Sequence, residues 1–232
     1  TGPIAPISEL VALYNIFGQS NDFLAELAKT ELTKARVRNL DVAETGENWM
    51  NYMHLYSATG DKQHIDKAVE GAKAYLERRV DKRQGDFKDP LSGGPFFWTG
   101  FTNRWIELTQ LYGITKDEAF LNAARDGARH YAMFIWMSPR IPDTNILVNE
   151  GGKAPLYWYL RSKGHEQMYY PEERVAAWRL SEIGLTPESS GTSNGHRAIF
   201  MANYAPWMLR LGYYTNDVFL KEIATSAIIG RY

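Results

Sequence analysis

The chain has 232 residues, 44% of them hydrophobic, with 26 basic and 27 acidic side chains and a net charge of −1. That balance gives no electrostatic footprint for nucleic acid or an anionic membrane surface. Cysteine is absent, which excludes disulfides, a thiol nucleophile and cysteine-ligated zinc. No apolar run is long enough to span a bilayer; the longest, 198–211, is broken by Asn203, Pro206 and Arg210.

A phrase recurs along the chain. It reads LYNIFGQSNDFLAELAKTEL from Leu13, LYSATGDKQHIDKAVEGAKAYL from Leu55, LYGITKDEAFLNAARDGARHYA from Leu111 and LGYYTNDVFLKEIATSAIIGRY from Leu211. Each copy ends one helix, turns through Thr, Gly or Asn to an Asp or Asn, and opens a second helix with regularly spaced alanines. The gaps between Tyr14, Tyr56, Tyr112 and Tyr214 are 42, 56 and 102 residues. The last gap holds room for a degenerate copy at Leu156-Tyr157, giving a period of about 50 residues, longer than that of tetratricopeptide or ankyrin repeats.

The spacing predicts helices over 6–17 and 20–36, 46–59 and 62–80, 96–113 and 117–137, 153–163 and 171–184, and 195–213 and 217–230. Asp61, Asp117 and Asp217 stand where a side chain caps the exposed amides of a new helix. Pro171, followed by Glu172 and Glu173, reads as the first turn of the helix containing Trp178. In 65–80, Ile65, Ala68, Val69, Ala72, Tyr75, Leu76 and Val80 share one face, and Lys62, Asp66, Lys67, Glu70, Lys73 and Glu77 the other. The first helix of each pair is aromatic on most faces and is expected to be buried. Buried inner and amphipathic outer helices predict an all-α fold, an α/α toroid of about five hairpins forming one domain over 1–232. Within it, 146–152 reads as a short β excursion. Thr1-Gly2-Pro3 at the start and a helical pattern running to Tyr232 read as a fragment of a longer chain.

Long loops at 81–95, 138–153 and 185–195 all lead into inner helices, and one-sided long loops carry function. The densest polar group is 188–210. There His196, Phe200, Asn203 and Trp207 fall on one stripe, with Arg197 and Tyr204 on the next. A histidine and a tyrosine beside Asn and Arg suit abstraction of a proton next to a carboxylate, with Asn194 and Arg197 neutralising the acid. The plainer structural reading makes His196 a cap and Tyr204 core. Trp98, Asn103 and Arg104, with Trp158, Glu188 and Trp207, are candidate sugar contacts, against toroid-core packing as the alternative. Among the loop acids Glu47, Asp86, Asp89, Glu150 and Glu188, Glu150 stands out because the neighbouring glycines let a substrate approach. His54 reads as a core histidine, and His64, His130 and His165 as surface residues. No metal-ligand spacing, phosphate loop or cofactor motif is present.

With about five hairpins of this period, aromatic inner helices and one-sided loops, the whole chain resembles the six-hairpin glycosidase-like superfamily. This group includes α/α-toroid glycoside hydrolases and the toroid domains of polysaccharide lyases. The resemblance implies an incomplete or truncated six-hairpin ring acting on a polysaccharide, and a secreted bacterial protein of the periplasm or cell exterior. By residue type, Asn194, His196 and Tyr204 match the lyase set, with Arg197 as the neutralising base. Elimination through these residues and hydrolysis through paired carboxylates are both open, the latter needing acids roughly 5–10 Å apart. So is a different class, a non-catalytic helical module that binds glycan or packs on other domains of the parent chain.

Overall fold

The computed structural model describes residues 6–38, 41–45, 48–81, 102–137, 143–153, 161–166, 168–180, 183–185 and 204–229. Most of them are helical. The α-helices are α1 (Ile7–Ile16), α2 (Asp22–Thr30), α3 (Trp49–Thr59), α4 (Lys62–Tyr75), α5 (Trp105–Thr115), α6 (Glu118–Ala132), α7 (Ala205–Tyr214) and α8 (Val218–Ile229). Two antiparallel ribbons interrupt them: β1 (Arg36–Arg38) with β2 (Asp41–Thr45), and β3 (Asn145–Val148) with β4 (Glu173–Ala176). The chain falls into two compact units, Thr1–Gly85 with Gln110–Asp117, and Asp86–Thr109 with Glu118–Tyr232.

In the copies from Leu55, Leu111 and Leu211 the recurring phrase is a chain reversal held by one hydroxyl. The Thr59 Oγ1 donates to the Leu55 carbonyl at 2.9 Å and accepts from the Asp61 N–H at 3.2 Å. Thr115 repeats this with Leu111 at 2.9 Å and Asp117 at 3.2 Å, and Thr215 bonds Leu211 at 2.8 Å. The next residue is left-handed in each: Gly60 at φ 67°, Lys116 at 60° and Asn216 at 51°. Then the acid opens the new helix. Asp61 accepts from the Gln63 N–H at 2.9 Å, and Asp217 from the Leu220 N–H at 3.2 Å. The threonine thus stops one helix by tying its hydroxyl to the last turn and hands the chain to the aspartate that starts the next.

His64, expected at the surface, belongs to this turn. Its Nδ1 lies 3.0 Å from Thr59 Oγ1, and its ring stacks on Tyr52 with centroids 6.2 Å apart.

Seven residues beyond the acid or its Asn21 counterpart lies an alanine in all four copies. Ala28, Ala68, Ala124 and Ala224 are each 0% exposed, which is the seam where a neighbouring element approaches closely. A shift of 56 residues maps Trp49 onto Trp105 and Tyr75 onto Tyr131, and each pair packs ring on ring at 5.7 and 5.6 Å. The same shift maps Gly71 onto Gly127. A Cβ on Gly71 would meet Trp49 Cβ at 2.8 Å, and one on Gly127 would overlap the side-chain amide of Asn103.

In the first unit, α1 and α2 pack together and on α3, and α3 pairs with α4. Ile7, Leu10, Val11, Ala28, Ala35 and Leu55 form its core. Helix α3 buries Trp49, Met50, Asn51, Tyr52, Met53 and Leu55, as expected of a helix aromatic on most faces. Helix α4 buries Ala68, Ala72 and Tyr75, while Lys62, Asp66, Lys67, Glu70, Lys73 and Glu77 are exposed, so the expected two-faced pattern holds. In the second unit α8 pairs with α7, and both reach α6.

The fourth hairpin is corrected. The stretch 171–184 is not a helix: β4 and a short 3-10 turn (Ala177–Leu180) occupy it. β4 pairs with the 146–152 excursion in the register Ile146↔Val175 and Leu147↔Arg174. Pro171 and Glu172 lead into an extended segment that starts at Glu173, and the Glu172 carboxylate accepts from the Gly151 N–H. The expected Tyr157 copy lies outside the described residues. Helix α2 also ends earlier than expected, at Thr30, and gives way to β1.

Two outcomes follow from these contacts. Gly127→Ala should cost about 1–3 kcal/mol in urea unfolding, because its methyl would displace Asn103. Asp217 is also testable by pH. Burial opposes its ionisation, but the Arg129 hydrogen bond, the Leu220 and Phe219 N–H groups and the Arg129 charge together outweigh it and lower its pKa. Its contribution is therefore complete above the unfolded carboxylate value, near pH 4, and is lost as pH falls through the lower native value. Asp217→Asn should flatten the acid limb of stability against pH and cost about 1–2 kcal/mol at neutral pH.

Candidate functional site

Five of the residues singled out in the sequence lie among those described: Asn103, Arg104, Glu150, Tyr204 and Trp207. Trp98, Trp158, Glu188, Asn194, His196 and Arg197 lie outside them.

Tyr204, at the start of α7, is a core residue. It is 3% exposed, its hydroxyl donates to the Gly184 carbonyl at 2.6 Å, and its ring meets Tyr131 edge-on at 5.2 Å. Burial first, and the neighbouring Tyr131 second, push its phenol pKa well above the ordinary value. A phenol held protonated with its hydrogen already donated is placed for packing, not for taking up a substrate proton. The Gly184 segment it holds is itself stitched to 136: Gly184 N–H donates to Trp136 O at 2.7 Å and Trp136 N–H to Leu185 O at 2.8 Å.

Asn103 is tied to a helix through its amide nitrogen. Its Nδ2 donates to the Ala123 carbonyl of α6 at 2.7 Å, and its side chain fills the space left by Gly127. Arg104 is half-buried, and its carbonyl accepts from the Leu108 N–H at 2.9 Å, which begins the α5 ladder. Trp207 is half-buried on α7 with the Arg210 guanidinium 5.9 Å from its ring centre.

Glu150 is different. It is exposed, and it opens the short turn Glu150–Gly152 at the end of β3. Asn149 and Gly151 both have positive φ, 55° and 65°, which explains the NEGG spelling. The opposite chain closes this turn. Asn149 Nδ2 donates to the Pro171 carbonyl at 3.1 Å, Gly151 N–H to Glu172 Oε2 at 2.9 Å, and Tyr170 N–H to the Gly152 carbonyl at 2.8 Å. Lys153 then bridges Tyr169.

The ribbon so built holds large apolar side chains in water. Tyr169 is 67% exposed, Tyr170 and Trp178 45% each, and Met168 and Leu147 are exposed as well. Leu147 lies in the ladder, Tyr169 and Tyr170 are tied to Lys153 and Gly152 beside it, and Trp178 stands in the 3-10 turn after β4; Glu150, Glu172, Glu173 and Arg174 supply exposed charge along the same ribbon. Sequence reasoning marked Glu150 here but missed Tyr169, Tyr170 and Trp178. The signal was the MYYP run beside NEGG, hidden by the helix expected at 171–184.

Among the described residues no cluster of His, Asp and Glu is arranged to hold a metal, and no helix is long and apolar enough to cross a membrane.

Tyr204→Phe should lower stability by roughly 1–2 kcal/mol by leaving the Gly184 carbonyl unmet. A chemical role instead would show as lost turnover with the unfolding midpoint unchanged.

No family model matches the chain, and no curated protein or solved structure is significantly similar to it.

Proposed function

We propose that this is a carbohydrate-binding helical-hairpin domain that holds a glycan on the exposed aromatic rings of the β3–β4 ribbon. The observation that carries the reading is the exposure of Tyr169 and Tyr170 where the chain is tied back to Lys153 and Gly152, with Trp178 exposed in the short turn that follows β4. Aromatic rings kept in water on a rigid support suit the apolar face of a sugar, and the flanking carboxylates and amides suit its hydroxyls. The repeated hairpins support the wider reading of an α/α toroid. The ligand on this reading is a polysaccharide or oligosaccharide met in the periplasm or outside the cell, beside other domains of the same parent chain.

Binding is favoured over catalysis because Tyr204 is committed to the core. Elimination would then fall to Asn194, His196 and Arg197, and hydrolysis to Glu150 with a second acid.

The test is a screen of neutral and acidic polysaccharides by affinity electrophoresis, with unsaturated product and reducing ends followed in parallel. Retention by at least one glycan is expected, with Trp178→Ala and Tyr169→Ala each weakening it roughly tenfold, about 1.4 kcal/mol. Retention unaffected by both substitutions removes the ribbon from the site, and product of either kind replaces the binding module with an enzyme.

A further inference from the structure

A second site lies at the turn between α7 and α8. Arg125, Asp126 and Arg129 of α6, with Thr215, Asn216, Asp217, Val218 and Phe219, line an open cleft of ≈ 420 Å³, within the range of small-molecule sites.

The partners of these groups limit what the cleft can take. Arg129 Nε donates to Asp217 Oδ2 at 2.7 Å, and its guanidinium lies 5.3 Å from the Phe219 ring centre. Among the described residues its Nη groups bond nothing, although the side chain is 51% exposed. Arg125 reaches Asp126 Oδ1 only at 3.5 Å, from Nε and Nη2, which leaves Asp126 Oδ2 open. Asn216 accepts from Lys221 Nζ at 3.2 Å through Oδ1, leaving its Nδ2 hydrogens unused among the described residues. The rim therefore offers donors on Arg129 and Asn216 and an acceptor on Asp126. Phe219 remains 44% exposed beneath Arg129.

The two arginines and two aspartates lining the cleft cancel in charge. Lys221, outside the lining, spends a donor of its ammonium on Asn216 Oδ1 and lies 5.2 Å from the Tyr213 ring centre. An inorganic anion accepts hydrogen bonds and would be repelled by Asp126. A vicinal diol both donates and accepts, which is what a neutral rim of mixed donors and acceptors beside an exposed ring can satisfy.

We infer that this cleft binds one ring of a neutral sugar, its hydroxyls bridging Asp126, Arg129 and Asn216 beside the Phe219 ring. The inference stands on the cleft alone and does not depend on the ribbon.

The experiment titrates the whole protein with glucose, galactose, mannose and xylose, and separately with glucuronate and inorganic phosphate. It follows the Arg129 Nε–H and Asn216 side-chain amide signals by NMR. Two substitutions isolate the site. Asp126→Ala removes an exposed acceptor, and Asn216→Gly removes the amide while keeping the left-handed backbone. At least one neutral sugar should shift both signals saturably, and each substitution should weaken that binding about tenfold with the unfolding midpoint unchanged. Trp178→Ala should leave it unaltered. No shift with any of the four sugars, or tighter binding of glucuronate or phosphate than of every neutral sugar, overturns the inference. Binding that survives both substitutions overturns it equally.

Discussion

Three threonine hydroxyls set the helical framework. Each of Thr59, Thr115 and Thr215 bonds the carbonyl four residues back and so finishes one helix from within. At Thr59 and Thr115 the same oxygen also receives the aspartate amide, so one atom fixes both the end of one helix and the direction of the next. Helix ends leave backbone groups unpaired, and a two- or three-residue reversal has little room to satisfy them. The Thr-x-Asp turn does so within itself. That is why the turn can tolerate lysine or asparagine in a left-handed position that favours glycine, and why the buried alanines recur at one distance from it.

Arg129 extends this logic beyond the turn. In the last copy the aspartate is 4% exposed, and it accepts from Arg129 as well as capping α8. One carboxylate therefore joins α6 to the α7–α8 reversal. The cleft follows from that join, because the guanidinium is anchored at Nε and left with its outer nitrogens facing solvent.

The helical hairpins were legible in the sequence because their signals are local: a threonine, an aspartate two residues on, an alanine seven beyond. The ribbon was not. Val175 is buried by pairing opposite Ile146, a partner nearly thirty residues away, and Glu172 spends its carboxylate on Gly151 N–H. Read locally, Pro-Glu-Glu is a helix start. Asn103 and Tyr204 are ambiguous in the sequence for another reason. A buried polar side chain and a ligand-binding one need the same kind of partner, and the sequence does not say whether that partner is a backbone carbonyl. Ala123 and Gly184 supply it here. The exposure of Tyr169, Tyr170 and Trp178 was equally hidden, since aromatic content alone does not separate packed rings from presented ones.

The contrast between turn and ribbon also bears on the order of folding. The threonine turns close over only a few residues, so their loop-closure entropy is small and they can form while the rest of the chain is unstructured. The β3–β4 ladder joins segments separated by more than twenty residues and must wait for that closure. The surface that displays the aromatic rings therefore carries a larger closure entropy than the reversals of the helical scaffold.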